Sequence, residues 1–171
     1  MGGVPDSETE RPTVIPIKEA ATTFLANRRI AVTGVSGKPQ GHGSNVVYQR
    51  LRSRGYQVFA VNPNAETVEG DPSYPDLASV PDGVDAVVIG TRADRAEDTV
   101  RECVELGITQ VWMHRGFGAG SVSAAAAELG RANGITVIDG GCPLMFGPTA
   151  DAGHKVICSM LRIFGKIPRQ V

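Results

Sequence analysis

Five short apolar runs recur along the chain, at residues 30–33, 58–61, 86–89, 110–113 and 135–138, with centres roughly 24–29 residues apart. Each is apolar at consecutive rather than alternating positions, which is the pattern of a parallel strand covered on both faces. The segments between them carry helical spacing. Residues 44–54 place Val47 and Leu51 on one face and stop before Gly55. Asp94 and Glu97 have the spacing of a capping box, Ala96, Val100, Cys103 and Val104 make a buried stripe, and Gly107 closes the helix. Ser121 is the expected cap of an alanine-rich helix with Ala125, Leu129 and Ala132 inward, ending at Asn133 and Gly134.

Two further helices flank this series. One spans 17–28, with Ile17, Ala20, Ala21, Phe24 and Leu25 on a stripe. The other is a C-terminal helix of about 154–164, with Val156, Ile157, Met160, Leu161 and Phe164 inward. Residues 62–83 hold Pro63, Pro72, Pro75 and Pro81, so only one helical turn around 77–80 is expected there. Strand–helix repeats of this length predict an α/β, Rossmann-like doubly wound fold, a mainly parallel five-stranded sheet with helices on both faces. Residues 1–16, with three acids and three prolines, are expected to be a flexible arm, and 17–171 a single domain.

The strand-following segments concentrate the polar chemistry. After the first run come Gly34, Val35, Ser36, Gly37 and Lys38, with Ser44 opening the next helix; after the second, Asn62 and Pro63 follow Val61. Gly90, Thr91 and Arg92 follow the third run, His114, Arg115 and Gly116 the fourth, and Gly141, Cys142 and Pro143 close the fifth. In an open parallel sheet, ligands bind outside the carboxyl ends of the strands. Glycine lets backbone approach a ligand closely, and a helix start offers free N–H groups to an anion. Turn-making alone could explain any one of these loops, but all five share the pattern.

The first loop does not have the G-x-G-x-x-G spacing of a dinucleotide fingerprint, and no Asp or Glu ends the second run to hold a ribose hydroxyl. An NAD(P)-binding oxidoreductase or redox sensor on the same fold is therefore the second reading. The net charge of −1 gives no global reason to expect nucleic acid or an anionic membrane as a partner. Three widely spaced cysteines match neither a zinc site nor a disulfide framework. With no run of about 18 apolar residues and a polar, acidic N-terminus, a cytoplasmic location is expected.

Taken together, Thr33-Gly34-Val35-Ser36-Gly37-Lys38, Val61-Asn62-Pro63, Trp112 to Gly116 and Gly141-Cys142-Pro143 resemble the CoA-binding domain family over about residues 28–146. That family includes small stand-alone proteins and the N-terminal domain of the succinyl-CoA synthetase alpha subunit. The resemblance implies that coenzyme A, or an acyl-CoA, lies across the strand ends. The 34–38 loop and Ser44 would meet the nucleotide phosphates, with Val61 and Pro63 beside adenine and ribose. Gly90, Thr91 and Arg92 would line the middle, and the pantetheine would run towards His114, Arg115, Gly116, Cys142 and Pro143. Lys38 and Arg92 are the natural cations for the diphosphate and 3′-phosphate. Where the synthetase has a lysine after its V-x-P segment, this chain has Asn64-Ala65, and the synthetase's phosphohistidine belongs to a second domain. Binding without catalysis follows, in a carrier, regulatory or ligase-accessory role, with a homodimer or a ligase-type subunit as partner.

Other conspicuous residues have plainer readings. His42 and His154 suit solvent or helix capping, and His114 can either touch ligand or bond backbone. Cys142 reads as a small turn residue, with a mixed disulfide to the CoA thiol as the sharper alternative. Cys103 reads as core, Trp112 as packing, and Lys155, Arg162, Lys166 and Arg169 as a solvated face, with a partner surface as the alternative. No metal-ligand spacing stands out.

Overall fold

The computed structural model describes residues 14–38, 43–116, 118, 120–150, 152–165 and 167–171. His42, Lys166 and most of the expected N-terminal arm fall outside these residues. Strand β1 (Arg29–Thr33) lies at the centre of a sheet completed by β2 (Gln57–Val61), β3 (Thr67–Val68), β4 (Asp71–Tyr74), β5 (Ala86–Ile89), β6 (Gln110–Met113) and β7 (Thr136–Asp139). The order is β3-β4-β2-β1-β5-β6-β7, and every pair is parallel except β3 with β4. The five expected strands form the parallel body of a Rossmann-like α/β fold.

Successive strand residues feed opposite cores, which is why the runs are apolar at consecutive positions. Ile30, Val32, Val88, Trp112 and Ile138 pack on one face beneath α1 (Ile17–Ala26), α2 (Gly43–Ser53) and α5 (Ala152–Ile163). Ala31, Val87, Ile89, Val111 and Met113 pack on the other face beneath α3 (Ala93–Glu105) and α4 (Ala124–Ala132). β1 has β2 on one side and β5 on the other, so α2 and α3 leave towards opposite faces. That divergence opens a crevice at the carboxyl ends of β1 and β5.

Four local expectations are corrected. The proline-rich 62–83 segment contains a hairpin, making seven strands instead of five. Glu69 (φ 52) and Gly70 (φ 83) form its two-residue turn, and both positive φ values suit a hairpin whose twist matches its strands. Pro72 sits in the short β4, where the proline content argued against a strand. One face of α2 clamps this hairpin: Asn45 and Gln49 donate to the Glu69 carboxylate at 2.7 and 2.6 Å, Tyr48 donates to Asp71 at 2.7 Å, and Arg52 pairs with Asp71.

The α3 cap position is Arg92, without a side-chain capping bond, and Asp94 lies inside the first turn, paired with Arg92 at 2.8 Å. Ser123, not Ser121, caps α4, accepting from the Ala126 N–H. The buried α4 residues are Ala126, Ala127 and Gly130; of the expected face, Leu129 is partly buried against the same core while Ala125 and Ala132 are exposed.

In α5 the buried residues are Cys158 and Leu161, while Val156, Met160 and Phe164 of the expected stripe are exposed. That helix rests on the Pro143–Met145 turn through one narrow face, so much of its apolar surface has no covering element among the described residues. No helix of the described residues is long and apolar enough to cross a membrane.

Candidate nucleotide-binding crevice

The loop after β1 is held by side chains from two neighbouring elements. Gly34 has φ +69, and its N–H donates to the Val61 carbonyl at 3.1 Å. Ser44, buried at the start of α2, donates to the Gly34 carbonyl at 2.8 Å, so its proton serves the loop. Asn45 bonds Ser36 twice, accepting from its N–H and donating to its carbonyl, both at 2.8 Å. Ser36 Oγ accepts from the Lys38 N–H at 3.0 Å, and Val35 is fully buried. From β2, Asn62 donates to the Val35 carbonyl at 2.8 Å while its Oδ1 accepts from the Asn64 N–H. The 34–38 backbone is thereby set before any ligand arrives. Asn45 was not among the expected site residues, and only its place one helical step after Ser44 could have pointed to it.

Beside this loop lies a cleft of about 600 Å³. It is lined by Thr33 and Gly34 after β1, by residues 61–64 after β2, by Pro75 and Asp76 after β4, by Thr91 after β5, and by Arg95, Asp98, Thr99 and Glu102 of α3. Thr91 Oγ1 is buried and finds no hydrogen-bond partner among the described residues. Leaving such a hydroxyl unpaired costs about 1–3 kcal/mol, so a polar ligand group there would recover it. Lys38 and Arg92 do not line the cleft, and the Arg92 guanidinium is turned to Asp94. The contribution of α3 was missed because its charged residues look like any solvated helix face.

His114, Gly116 and Cys142 meet elsewhere, around a separate cavity of about 200 Å³ that also takes in Gly43 and His154. His114 donates its backbone N–H to Ile89 at 2.9 Å, and its ring lies so near Gly43 that a Cβ there would be 3.2 Å from Cε1. Arg115 donates its backbone N–H to the Gly141 carbonyl, and its Nε is buried without a partner among the described residues. Pro143 is buried and opens the 3₁₀ turn that carries Leu144 and Met145 into this cavity. Cys103, Cys142 and Cys158 are all buried, and none of them is in a disulfide. Trp112 is buried among Phe24 and Phe146. Among the described residues, no group of three or more His, Cys, Asp or Glu could hold a metal ion.

Burial, followed by the nearby His154 charge, pushes His114 down to about 4 from its ordinary 6.5. An unfolded chain therefore binds this proton below about 6.5, while the folded chain refuses it until about 4. The resulting stability is complete above 6.5 and is lost as pH falls towards 4. Urea titrations across that window should show a smaller pH slope for His114→Asn than for the parent chain. Equal slopes would exclude His114 as the source.

The first cleft joins the apolar residues Val61 and Pro63, the Thr91 hydroxyl that is unpartnered among the described residues, and the glycine loop held by Ser44, Asn45 and Asn62. An ADP-forming acetate–CoA ligase II of Archaeoglobus fulgidus is 34% identical over 86 residues, covering 47% of this chain and 12% of that protein. The alpha subunit of an ADP-forming acetate–CoA ligase II of Pyrococcus furiosus is 32% identical over 88 residues, covering 52% and 19%. The chain thus spans less than a fifth of the length of these curated relatives. A hypothetical protein from Pyrococcus horikoshii OT3 superposes with a TM-score of 0.68 at 25% identity, over 75% of this chain and 91% of its own. The CoA binding domain model matches residues 28–148, and with that match over most of its length the chain belongs to the CoA-binding domain family.

Proposed function

We propose that this chain binds coenzyme A or an acyl-CoA at the carboxyl ends of its strands, as a cytoplasmic carrier, regulator or ligase accessory without a reaction of its own. The observation that carries the reading is the buried, unpartnered Thr91 hydroxyl in a cleft whose other edge is the pre-set 34–38 loop. A nucleotide end would lie in that cleft, with its diphosphate against Gly34, Val35, Ser36, Gly37 and Lys38. Adenine would rest on Val61 and Pro63, and the crevice middle would use Gly90 and Thr91. The pantetheine would run towards His114, Arg115, Gly116, Cys142 and Pro143. A neutral, largely buried His114 suits packing against such an arm better than it suits carrying charge. The ligase relatives supply the rationale for a ligase-type partner subunit.

Titration calorimetry with CoA, acetyl-CoA and NAD tests the proposal. CoA and acetyl-CoA should bind with similar affinity, and NAD at least about tenfold more weakly, a difference of roughly 1.4 kcal/mol. Tighter binding of NAD than of CoA would overturn it.

A further inference from the structure

The charges around the cleft suit some parts of CoA better than others. Its lining holds three carboxylates, Asp76, Asp98 and Glu102, against one guanidinium, Arg95. That cation lies 3.5 Å from Asp98, so it is already engaged. The other two carboxylates are held in place: Glu102 Oε1 accepts from the N–H groups of Leu77 at 2.7 Å and Ala78 at 3.1 Å, and Asp76 Oδ1 accepts from Ser79 at 2.8 Å. The remaining polar lining, Thr33, Asn62, Asn64, Thr91 and Thr99, is neutral. The two cations that the sequence offers for phosphate, Lys38 and Arg92, lie outside the lining, and Arg92 is paired with Asp94.

With the diphosphate at the 34–38 loop, the adenosine extends between the end of β2 and α3, towards these carboxylates. Free ribose hydroxyls are donors that a carboxylate accepts. A 3′-phosphate carries between one and two negative charges and would meet fixed charge of its own sign. We infer that this cleft selects an adenosine nucleotide with a free ribose 3′-hydroxyl, so that dephospho-CoA binds more tightly than CoA. The inference rests on the CoA reading of the same site and names which form of the ligand the site is built for.

The charged side chains of Arg95 and Asp98 are 74% and 70% exposed, so solvent tempers the discrimination. A preference of about fivefold is expected at low ionic strength, shrinking as salt is added. The experiment is calorimetry of the full chain with CoA, dephospho-CoA and ADP-ribose at low and high salt. It is repeated with the double variant Asp76→Asn, Asp98→Asn, in which asparagine keeps an acceptor for Ser79. Dephospho-CoA should win in the parent chain, and the double variant should bring the ratio close to one. CoA binding as tightly as dephospho-CoA, or a ratio unchanged in the double variant, overturns the inference while leaving the CoA reading intact. Failure of both CoA forms to bind overturns the CoA reading itself. ADP-ribose binding as tightly as dephospho-CoA would show that the pantetheine arm contributes nothing, and would overturn that reading too.

Discussion

Gly34→Ala is expected to lower stability by about 3 kcal/mol and to abolish measurable CoA binding. Two effects add at this position. Its φ of +69 is strained for any residue with a Cβ. A Cβ there would also lie 2.7 Å from the Gly90 carbonyl carbon and oxygen and from the Thr91 nitrogen, all of them backbone atoms. Neither side can retreat, because Ile30, Ala31 and Val32 of β1 are in register with Ala86, Val87 and Val88 of β5. The approach is mutual: a Cβ on Gly90 would sit 2.5 Å from the Thr33 carbonyl oxygen. Relief of the clash has to part the ends of the two central strands, where the cleft begins. Urea denaturation followed by circular dichroism would report the loss as a lower midpoint with an unchanged slope. A loss below about 1 kcal/mol would show that the loop relaxes freely and that its shape is not pre-set.

Trp112→Ala should be at least as damaging, at about 3–5 kcal/mol. The indole is fully buried, meets Phe24 edge-on with ring centres 5.3 Å apart, and lies 5.4 Å from Phe146. Its Nε1 donates to the Gly140 carbonyl at 3.0 Å, tying β6 to the backbone that leads into Cys142. Trp112→Phe keeps much of the aromatic volume but leaves that carbonyl unpaired, so a loss of about 1–3 kcal/mol is expected. Because Trp112 is the only tryptophan, both variants are best followed by far-ultraviolet circular dichroism. Equal losses in the two variants would mean that the bond to Gly140 dominates over packing.

These two positions differ in how far the sequence exposed them. Trp112 sits between Val111 and Met113 in a run of consecutive apolar residues, and burial on both faces leaves few other readings for such a run. Gly34 was conspicuous as the first glycine after a strand, but its partner Gly90 is 56 positions away, and only strand pairing brings them together. The hairpin at Glu69 and Gly70 was hidden by prolines that normally end strands. It forms because α2 supplies Asn45, Tyr48, Gln49 and Arg52 to its polar edge. The α5 stripe held at Leu161 and in part at Ile157 but not at Val156, Met160 and Phe164, because spacing shows that a helix has an apolar side, but not how much of it anything covers. Val156, Met160 and Phe164 remain 63%, 46% and 69% exposed.

By itself, the sequence determined the strand–helix alternation, the parallel core and the gathering of polar residues at the carboxyl ends of the strands. Those features follow from local periodicity and from the burial that every central strand must find. Only the tertiary structure decided which of those residues share a cavity. It placed Thr33, Gly34, Val61 and Thr91 in one cleft and His114, Gly116 and Cys142 in another. It also brought Arg95, Asp98 and Glu102 of α3 into the lining of the first cleft. The physical reason is that a cleft is made between chain segments far apart in sequence. Its charge is set by whichever helix face the packing turns towards it, and periodicity alone does not carry that orientation.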